Sequence, residues 1–294
     1  MNRDMAKEWS ATQTTPVQGV ECFSARFVSH VFDRHSHETF SIGTTFGGVQ
    51  SFRCRGERRD STQGHLMLFN PDEPHDGWAG VRGGFAYRML YVSVEGVSQL
   101  VEKGGGMFTQ PVVCDPELAA RFAAATDDLL APANSLQAAE RLSDVLRVMF
   151  RRYAGVRERG DERPAAASRQ IGRVRDLLES HYGEDVTIAT VADVAGMSRV
   201  HATRQFTLAY GIPPHAYLNQ VRIRHAKRLL LAGVSAADVA TEVGFVDQSH
   251  FTRRFKRSVG ISPLAWARSM SRPVAPRLIV ARPGVARPIA AREE

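Results

Sequence analysis

The sequence is poor in cysteine and lacks long apolar runs. Its three cysteines, Cys22, Cys54 and Cys114, are too far apart for the paired spacing of a zinc or redox motif, so we interpret them as isolated thiols. No stretch of about 18 apolar residues occurs, which predicts no membrane-spanning helix and no membrane partner. The polar segment before Pro16 lacks the apolar core of a secretory signal. These absences together predict a cytoplasmic protein.

The charge of the 294-residue chain is unevenly distributed. The formal net charge is +7, yet residues 1–167 carry 19 Lys and Arg against 21 Asp and Glu. Residues 168–271 carry 14 Lys and Arg against 8 Asp and Glu. A basic excess in one compact segment is typical of a domain that binds a polyanion.

The residue composition and the spacing of apolar residues change twice along the chain, which predicts an α+β multidomain protein. Short runs rich in β-branched and aromatic residues, separated by Gly and Pro, predict a small barrel or sandwich at the front. From Asp115, an expected N-cap, apolar residues recur at helical spacing. The predicted divisions are a disordered N-terminus (1–19), a barrel (20–112), a helical dimerisation region (113–154), a linker (155–168), an all-α domain (169–270) and a disordered Pro/Arg-rich tail (271–294).

An internal repeat lies within the all-α domain. Residues 191–217 resemble residues 239–266, with Ala192 matching Ala240 before the turn. After the turn the matches continue with one extra residue in the second copy. The later matching pairs are His201 with His250, Thr203 with Thr252, Arg204 with Arg253, Phe206 with Phe255, Gly211 with Gly260 and Pro214 with Pro263.

Each copy has the pattern of a helix-turn-helix. The first helix is expected to begin at a capping hydroxyl and to end at a glycine that adopts the left-handed conformation of a sharp turn. Ala202 and Phe206, like Phe251 and Phe255, would face the core. The expected caps are Thr187, Gly196 and Ser198 in the first copy and Ser235, Gly244 and Asp247 in the second.

The opposite face of each second helix is rich in the side chains that read base edges and phosphates. The predicted DNA-binding residues are Arg199, Val200, His201, Thr203, Arg204, Gln248, Ser249, His250, Thr252, Arg253 and Lys256. An amphipathic helix over residues 217–233 would set the two units about one DNA turn apart, roughly 34 Å. Two ordinary helical hairpins with solvated faces are the alternative, but two matching copies in the basic segment favour DNA.

At these motifs, residues 170–268 resemble the DNA-binding domain of the AraC/XylS family of bacterial regulators. The resemblance is carried by "YLNQVRIRHAKRLL", "ADVATEVGFVDQSHFTRRFKRSVGISP" and "VADVAGMSRVHATRQF". It implies recognition helices over 198–207 and 247–256, and RNA polymerase as a partner. The chain departs from the family at Val200, where some members carry a larger or polar residue, and at Thr207, where a cation commonly meets phosphate.

Residues 20–95 resemble the family's cupin-type sensor barrel, on "DRHSHETFSIG" and "GHLMLFNPDEPHDG". In metal-binding cupins two close histidines, an acid and a later histidine hold a metal. His35, His37 and His75 take the histidine places, but the acid expected beyond His37 is missing. We therefore predict no metal and no other cofactor, and instead an effector pocket lined by these histidines. A metal held by three histidines and simple hydrogen bonding at the barrel rim stay open as alternatives.

The sequence as a whole predicts a non-enzymatic transcription regulator, an activator by family tendency, controlled by a small-molecule effector. It would bind double-stranded DNA as a homodimer. Arg26, Arg53 and Arg88 lie on strand-like segments and would suit an anionic effector. The alternatives are a metal-dependent cupin enzyme fused to a DNA-binding module, and a regulator that binds DNA without an effector.

Overall fold

The protein consists of a β-rich part followed by a helical part. In this computed structural model no described helix is long and apolar enough to cross a membrane. The described residues are 8–15, 17, 19–101, 106–130, 135–155 and 169–270. The predicted linker beyond Gly155 and the predicted tail beyond Met270 lie outside them.

The strands pair into two main antiparallel sheets. The larger sheet has the order β1-β2-β9-β4-β7-β11, and the smaller has the order β3-β8-β5-β6. The bounds are β1 (Trp9–Thr14), β2 (Val20–Phe27), β3 (Phe32–His35), β4 (Phe40–Gly48), β5 (Gln50–Cys54), β6 (Glu57–Ser61), β7 (His65–Phe69), β8 (His75–Ala79), β9 (Phe85–Val92), β10 (Met107–Phe108), β11 (Val112–Cys114) and β12 (Ala154–Gly155).

The larger sheet is buried on both faces. Because side chains alternate along a strand, β9 sends Tyr87 and Met89 toward the smaller sheet and Leu90 and Val92 the other way. The core between the two sheets is mostly aromatic. It contains Phe23, Phe27, Phe32, Phe52, Phe69, Phe85 and Tyr87.

Three helices cover the outer face of the larger sheet: α1 (Val94–Leu100), α2 (Pro116–Leu130) and α3 (Ser135–Tyr153). The Asp115 carboxylate accepts a hydrogen bond from the Leu118 backbone N–H at 3.0 Å, which confirms the predicted N-cap. Of the apolar residues predicted at helical spacing, those such as Phe122 and Leu142 are buried against the sheet, whereas Leu136 is exposed. The two predicted helices are therefore confirmed.

The predicted disorder of residues 1–19 is wrong for Trp9–Thr14, which form the edge strand β1. This strand pairs with β2 from Trp9 opposite Arg26 to Thr14 opposite Glu21. Its sequence, WSATQT, is mostly polar, because an edge strand has one neighbour and needs no continuous apolar pattern. The predicted end of the barrel at residue 112 also falls inside β11, which continues to Cys114.

The helical part contains two small cores joined by one long helix. Its helices are α4 (Arg169–Ser180), α5 (Ile188–Ala195), α6 (Arg199–Tyr210), α7 (Pro214–Leu231), α8 (Ala236–Glu242), α9 (Gln248–Val259) and α10 (Pro263–Met270). Leu218 of α7 packs in the first core with Phe206, while Ile223 and Ala226 pack in the second core with Phe255. The predicted amphipathic helix between the repeats is confirmed, beginning three residues earlier than expected.

One buried arginine joins the larger sheet to the helices that cover it. Arg88 of β9 is 4% exposed and points to α2. Its guanidinium donates hydrogen bonds to Thr126 Oγ1 at 2.8 Å, to Asp127 Oδ1 at 2.6 Å and to Ser24 Oγ at 3.2 Å. A charge this deep is tolerated because its donors are satisfied, and removing the arginine would leave partners unpaired.

We expect Arg88→Met to lower the free energy of unfolding by about 2–3 kcal/mol, because the buried hydroxyls and the Asp127 carboxylate lose their donor. Urea denaturation followed by circular dichroism measures this loss. Arg121→Met, at an exposed position on α2, is the matched control and should change stability by less than about 0.5 kcal/mol. Equal effects of the two substitutions would contradict this role for Arg88.

Candidate DNA-binding and effector-binding sites

The helix-turn-helix geometry predicted for both repeats is present. Thr187 and Ser198 each accept a hydrogen bond from the backbone N–H three residues later, and Ser235 and Asp247 do the same in the second copy. The glycines at the two turns have φ angles of 62° and 82°. Local capping therefore fixes where α6 and α9 begin.

The outer face of α6 is open to solvent. Arg199, His201 and Arg204 are exposed, and Val200 is 81% exposed. Thr203 is half-buried, and its hydroxyl donates to the Arg199 carbonyl at 2.8 Å, so the oxygen offers a ligand only its acceptor side. All five residues predicted on this helix lie on or beside one accessible face.

The second recognition helix, α9, divides its polar residues between two directions. Gln248, Ser249, Arg253 and Lys256 are exposed, and Thr252 is half-buried beside them. The remaining predicted residue, His250, is half-buried with its ring edge-on to Phe245 at 5.4 Å. Arg254 and Arg257 instead face the β-rich part of the chain.

The contact between the β-rich part and the helical part includes β1 against α10, and β3 with the loop after it against α7 and α9. Asp33 lies 3.6 Å from both Arg254 and Arg257, and Glu38 forms an ion pair with Arg224. Ser36 donates a hydrogen bond to the Gln220 side chain at 3.2 Å. These are partly exposed polar contacts, and such contacts are worth little individually.

Two equivalent glycines of the repeat also touch the β-rich part. Gly211 and Gly260 end α6 and α9 in the left-handed conformation, with φ angles of 74° and 88°. A Cβ at Gly211 would collide with Pro74, and one at Gly260 would lie 3.0 Å from the Phe27 ring. Both positions therefore require glycine for the turn and for the close approach.

Arg26, Arg53 and Arg88, which the sequence analysis expected to suit an anionic effector, lie in three different surroundings. Arg88 faces α2, on the opposite side of the sheet from the aromatic core. Arg26 donates to the Gly83 carbonyl at 2.9 Å, and the exposed Arg53 stacks over Trp78 at 5.1 Å. The period of a strand determines that alternate residues share a face, but not which face meets the ligand.

The three predicted histidines do come together, at the end of the β-rich part that faces α7. His35 of β3 and His75 of β8 are sheet partners, and His37 follows in the loop after β3. Each ring offers a nitrogen, and these nitrogens lie within 4.8 Å of one another. The His75 ring stacks on Phe69 at 4.1 Å. Three such nitrogens are a donor set that could hold a metal ion.

All three histidines are held in the neutral form. Burial lowers the pKa of His35 and lowers the pKa of His37 well below its usual value, and it lowers the pKa of His75 to about 3. His35 donates its Nδ1–H to the Asp33 carbonyl at 2.6 Å, and His75 donates to the Glu73 carbonyl at 2.9 Å. A carbonyl oxygen only accepts, so the Nε2 atom of each of these two rings carries the lone pair.

A cavity of about 480 Å³ lies beside these histidines, between the β-rich part and the helical part. His37 and Tyr91 are on one wall, and residues of α7, α9 and α10 form the other. The volume falls within the roughly 300–1,000 Å³ typical of small-molecule sites. Of the predicted effector residues, only His37 lines this cavity.

The helical wall of the cavity presents hydrogen-bond donors that have no acceptor among the described residues. These donors are the Gln220 side-chain amide N–H and the Trp266 indole N–H. The Lys227 ammonium lies 5.5 Å from the Trp266 ring centre, and no described carboxylate is within ion-pair distance. Burial lowers the pKa of Lys227, and the charge of Glu21 opposes that shift. A ligand that supplies acceptors and negative charge would match this wall.

The sequence analysis missed Gln220, Lys227 and Trp266 as site residues. One signal was available: Lys227 follows the buried Ile223 by four residues, so it had to share the apolar face of α7. A cation on an apolar face indicates a partner or a cavity. The opposing wall comes from residues more than 120 positions earlier in the chain, and their proximity had no local signal.

Comparison with known proteins agrees with this architecture. Residues 17–146 match the AraC-like ligand binding domain, and residues 191–269 match a helix-turn-helix domain. The HTH-type transcriptional regulator YbfI of Bacillus subtilis (strain 168) is 30% identical over 250 residues, which span 83% of this chain and 90% of YbfI. The HTH-type transcriptional activator RhaS of Enterobacter sp. (strain 638) is 35% identical over 81 residues, 27% of this chain and 29% of RhaS.

Solved structures share the fold at low identity. An apo variant of ToxT from Vibrio cholerae strain SCE256 has a TM-score of 0.56 and 12% identity, over 86% of this chain and 98% of ToxT. Wild-type ToxT bound to an unsaturated fatty acid has a TM-score of 0.52 and 14% identity, over 90% and 95% of the two chains. The similarity to YbfI along most of both chains, together with the two matched domains, shows that this chain belongs to the AraC family of transcriptional regulators, with an AraC-like ligand-binding domain ahead of its helix-turn-helix DNA-binding domain.

Proposed function

We propose that the regulator inserts α6 and α9 into successive major grooves of one DNA duplex. The observation that carries this proposal is the pair of capped helices with exposed polar and basic outer faces. The 18-residue α7 between them is about 27 Å long and suits a separation of about one DNA turn, roughly 34 Å. The residues proposed to contact DNA are Arg199, Val200, His201, Thr203, Arg204, Gln248, Ser249, His250, Thr252, Arg253 and Lys256.

Neighbouring arginines on α9 allow a sharp test of this interface. We expect Arg253→Ala to weaken binding to the preferred duplex by about 1–3 kcal/mol and to relax specificity at one base pair, because its guanidinium contacts a base edge. Arg254→Ala removes the same charge from a side chain that faces Asp33, and is the matched control. Fluorescence anisotropy on duplexes selected from a random pool measures both affinity and specificity.

Two results would count against the interface. An equal loss for Arg253→Ala and Arg254→Ala would indicate a general charge effect. A loss for Arg253→Ala that is the same on every sequence would assign its side chain to phosphate. Affinity should also fall steeply with salt concentration, because Lys and Arg release counterions from DNA, and a flat response would contradict the proposed face as a whole.

We propose that the effector occupies the cavity between the β-rich part and α7, and that it is a small apolar molecule with a carboxylate. The unpaired donors of Gln220 and Trp266 and the cation of Lys227 support a negatively charged group. The apolar side chains of Val20, Phe23 and other wall residues suit an apolar body. ToxT, which shares the fold, has been solved with an unsaturated fatty acid.

An effector at this position would contact both parts of the molecule at once. The direct contacts between them, such as those of Asp33 and Glu38, are partly exposed ion pairs of small individual value. A ligand that bridges the two walls would therefore shift the balance between two relative arrangements by its difference in affinity for them. This coupling would connect effector binding to the position of the β-rich part against α7 and α9.

Lys227→Met should have opposite effects on the free and the ligand-bound protein. Without ligand we expect a higher melting temperature, because a desolvated and unpaired ammonium is replaced by an apolar side chain. The stabilisation by a carboxylate ligand should fall, since a charge-assisted hydrogen bond of about 1.5–3 kcal/mol is lost. Thermal shift with a panel of aliphatic and aromatic monocarboxylates, each beside its primary amide, measures both effects.

Arg228→Met is the matched control for Lys227→Met, because Arg228 is the next residue on α7 and is exposed. It should keep the response of the wild-type protein. An amide that stabilises the protein as well as its acid, or a Lys227→Met protein that keeps the full response, would contradict the carboxylate. A panel in which no acid stabilises the protein or changes DNA affinity would favour a regulator that works without an effector.

We further propose that the protein is a cytoplasmic activator that contacts RNA polymerase and acts as a homodimer. Activation is supported by the similarity to RhaS, which is named an activator. The outer face of α3 carries Arg141, Asp144 and Arg147, whose ion pairs within the chain could be exchanged for pairs with a two-fold related copy. Mass measurement by light scattering at low and high salt tests this, because a dimer held by these charges should dissociate as salt rises.

A further inference from the structure

The two helix-turn-helix units touch each other directly as well as through α7. The loop of residues 181–187, between α4 and α5, leads into the first unit. Its Tyr182 packs against both small cores of the helical part. The Tyr182 ring also stacks on the ring of His225 in α7, with 3.6 Å between the ring centres. One side chain of this entry loop therefore belongs to both cores.

Arg222 of α7 holds the entry loop in place. Its guanidinium donates from Nε to the Tyr182 carbonyl and from Nη2 to the Glu184 carbonyl, both at 2.8 Å. The Cζ atom of the same guanidinium lies 5.6 Å from the centre of the Phe245 ring, in the turn of the second unit. Donation to two acceptors combined with an approach to an aromatic face is suited to the planar guanidinium and not to a lysine. The half-buried Arg222 thus connects the entry of the first unit with the turn of the second.

The backbones of these two segments also approach each other closely. A Cβ at Gly183 would lie 2.9 Å from the Glu242 carbonyl oxygen at the end of α8. A Cβ at Gly244, the turn glycine of the second unit, would lie 2.7 Å from the Gly183 carbonyl oxygen. Glycine at both positions permits this approach. We call the joint the set of residues that make these contacts: Tyr182, Gly183, Glu184, Arg222, Gly244 and Phe245.

The joint restricts a motion that α7 alone would allow. A single helix keeps two bodies at a fixed distance along its axis, but it can curve, and each body can roll about it. The contact of Gly183 with Gly244 involves no residue of α7, so it is a second connection between the two units. Two separate connections fix the rotation of one unit relative to the other as well as their distance.

We propose that the joint sets the spacing and rotation between α6 and α9, and that Arg222 is a positioning residue for the spacing of the DNA site. This inference rests on the proposed insertion of both helices into one duplex. Moving one half of a site by one base pair shifts it by about 3.4 Å and rotates it by about 34°. A rigid pair of helices cannot follow such a change, whereas units that roll about α7 can follow part of it. The joint would therefore make the regulator discriminate spacing in addition to sequence.

Duplexes that differ only in spacing test this proposal. The preferred duplex, selected from a random pool, is compared with two others in which one base pair is added or removed between the two blocks of selected sequence. Fluorescence anisotropy gives the affinity of the full chain for each duplex. Arg222→Met removes both donors, and Gly183→Val separates the entry loop from Glu242 without a change of charge. Arg228→Met, at an exposed position on the same helix, is the matched control.

We expect the wild-type protein and Arg228→Met to bind both altered spacings at least about 10-fold more weakly than the selected spacing, a cost comparable with that of one mismatched base pair. Arg222→Met and Gly183→Val should bind the selected duplex more weakly. Their discrimination between spacings should fall to about 3-fold or less, because units that roll recover part of the lost contacts on the altered duplexes.

Two results with Arg222→Met would overturn the role of the joint: a folded protein that discriminates spacing like the wild type, or a loss of affinity by the same factor on all three duplexes, which would assign the guanidinium to phosphate. A wild-type protein that binds all three spacings equally would instead contradict the insertion of both helices into one duplex, and the inference with it. Circular dichroism checks that each variant is folded. If Arg222→Met does not fold, Gly183→Val decides by the same criteria, and Arg222→Lys, which keeps the charge but not the planar geometry, replaces both if neither folds.

Discussion

The six-stranded sheet, which must bury both of its faces, constrains everything else in the β-rich part. One face packs an aromatic core against the smaller sheet, and the other packs against α1, α2 and α3. Both layers are filled by large apolar side chains, and Arg88 is accommodated only because Ser24, Thr126 and Asp127 satisfy it. Because both faces of the sheet are covered, the histidine cluster and the cavity lie at one end of the sheets.

The DNA-binding domain contacts the same end of the sheets. The side chains that form this contact differ from those that form the cores. The cores are apolar and close-packed, whereas the contact combines partly exposed ion pairs and unpaired donors with close approaches at Pro74 and Phe27. Relative domain motion is the general expectation unless an interface between domains is large and hydrophobic. The histidine cluster and the cavity both border this contact, so a ligand of either site would lie against both parts of the molecule.

The sequence predicted best what short-range physics decides. The caps at Ser198 and Asp247, the turn glycines and the buried Phe206 and Phe255 follow from neighbours within one turn of helix, and the repeat confirmed each copy by the other. The orientation of Arg88 could not be predicted, because alternation fixes which residues share a face but not what covers it. Strand β1 has a polar pattern, and its place depends on pairing with β2 and on contact with α10. The cavity joins residues such as Glu21 and Lys227, and nothing local brings them together.

The two glycines that end α6 and α9 affect how the β-rich part and the helical part can move relative to each other. Gly211 and Gly260 are equivalent in the duplication, and the β-rich part abuts both, at Pro74 and at Phe27. Because the β-rich part contacts both glycines, it cannot separate from one of them without moving relative to the other. Any movement of the β-rich part relative to the helical part would therefore change the contacts at the ends of α6 and α9 together.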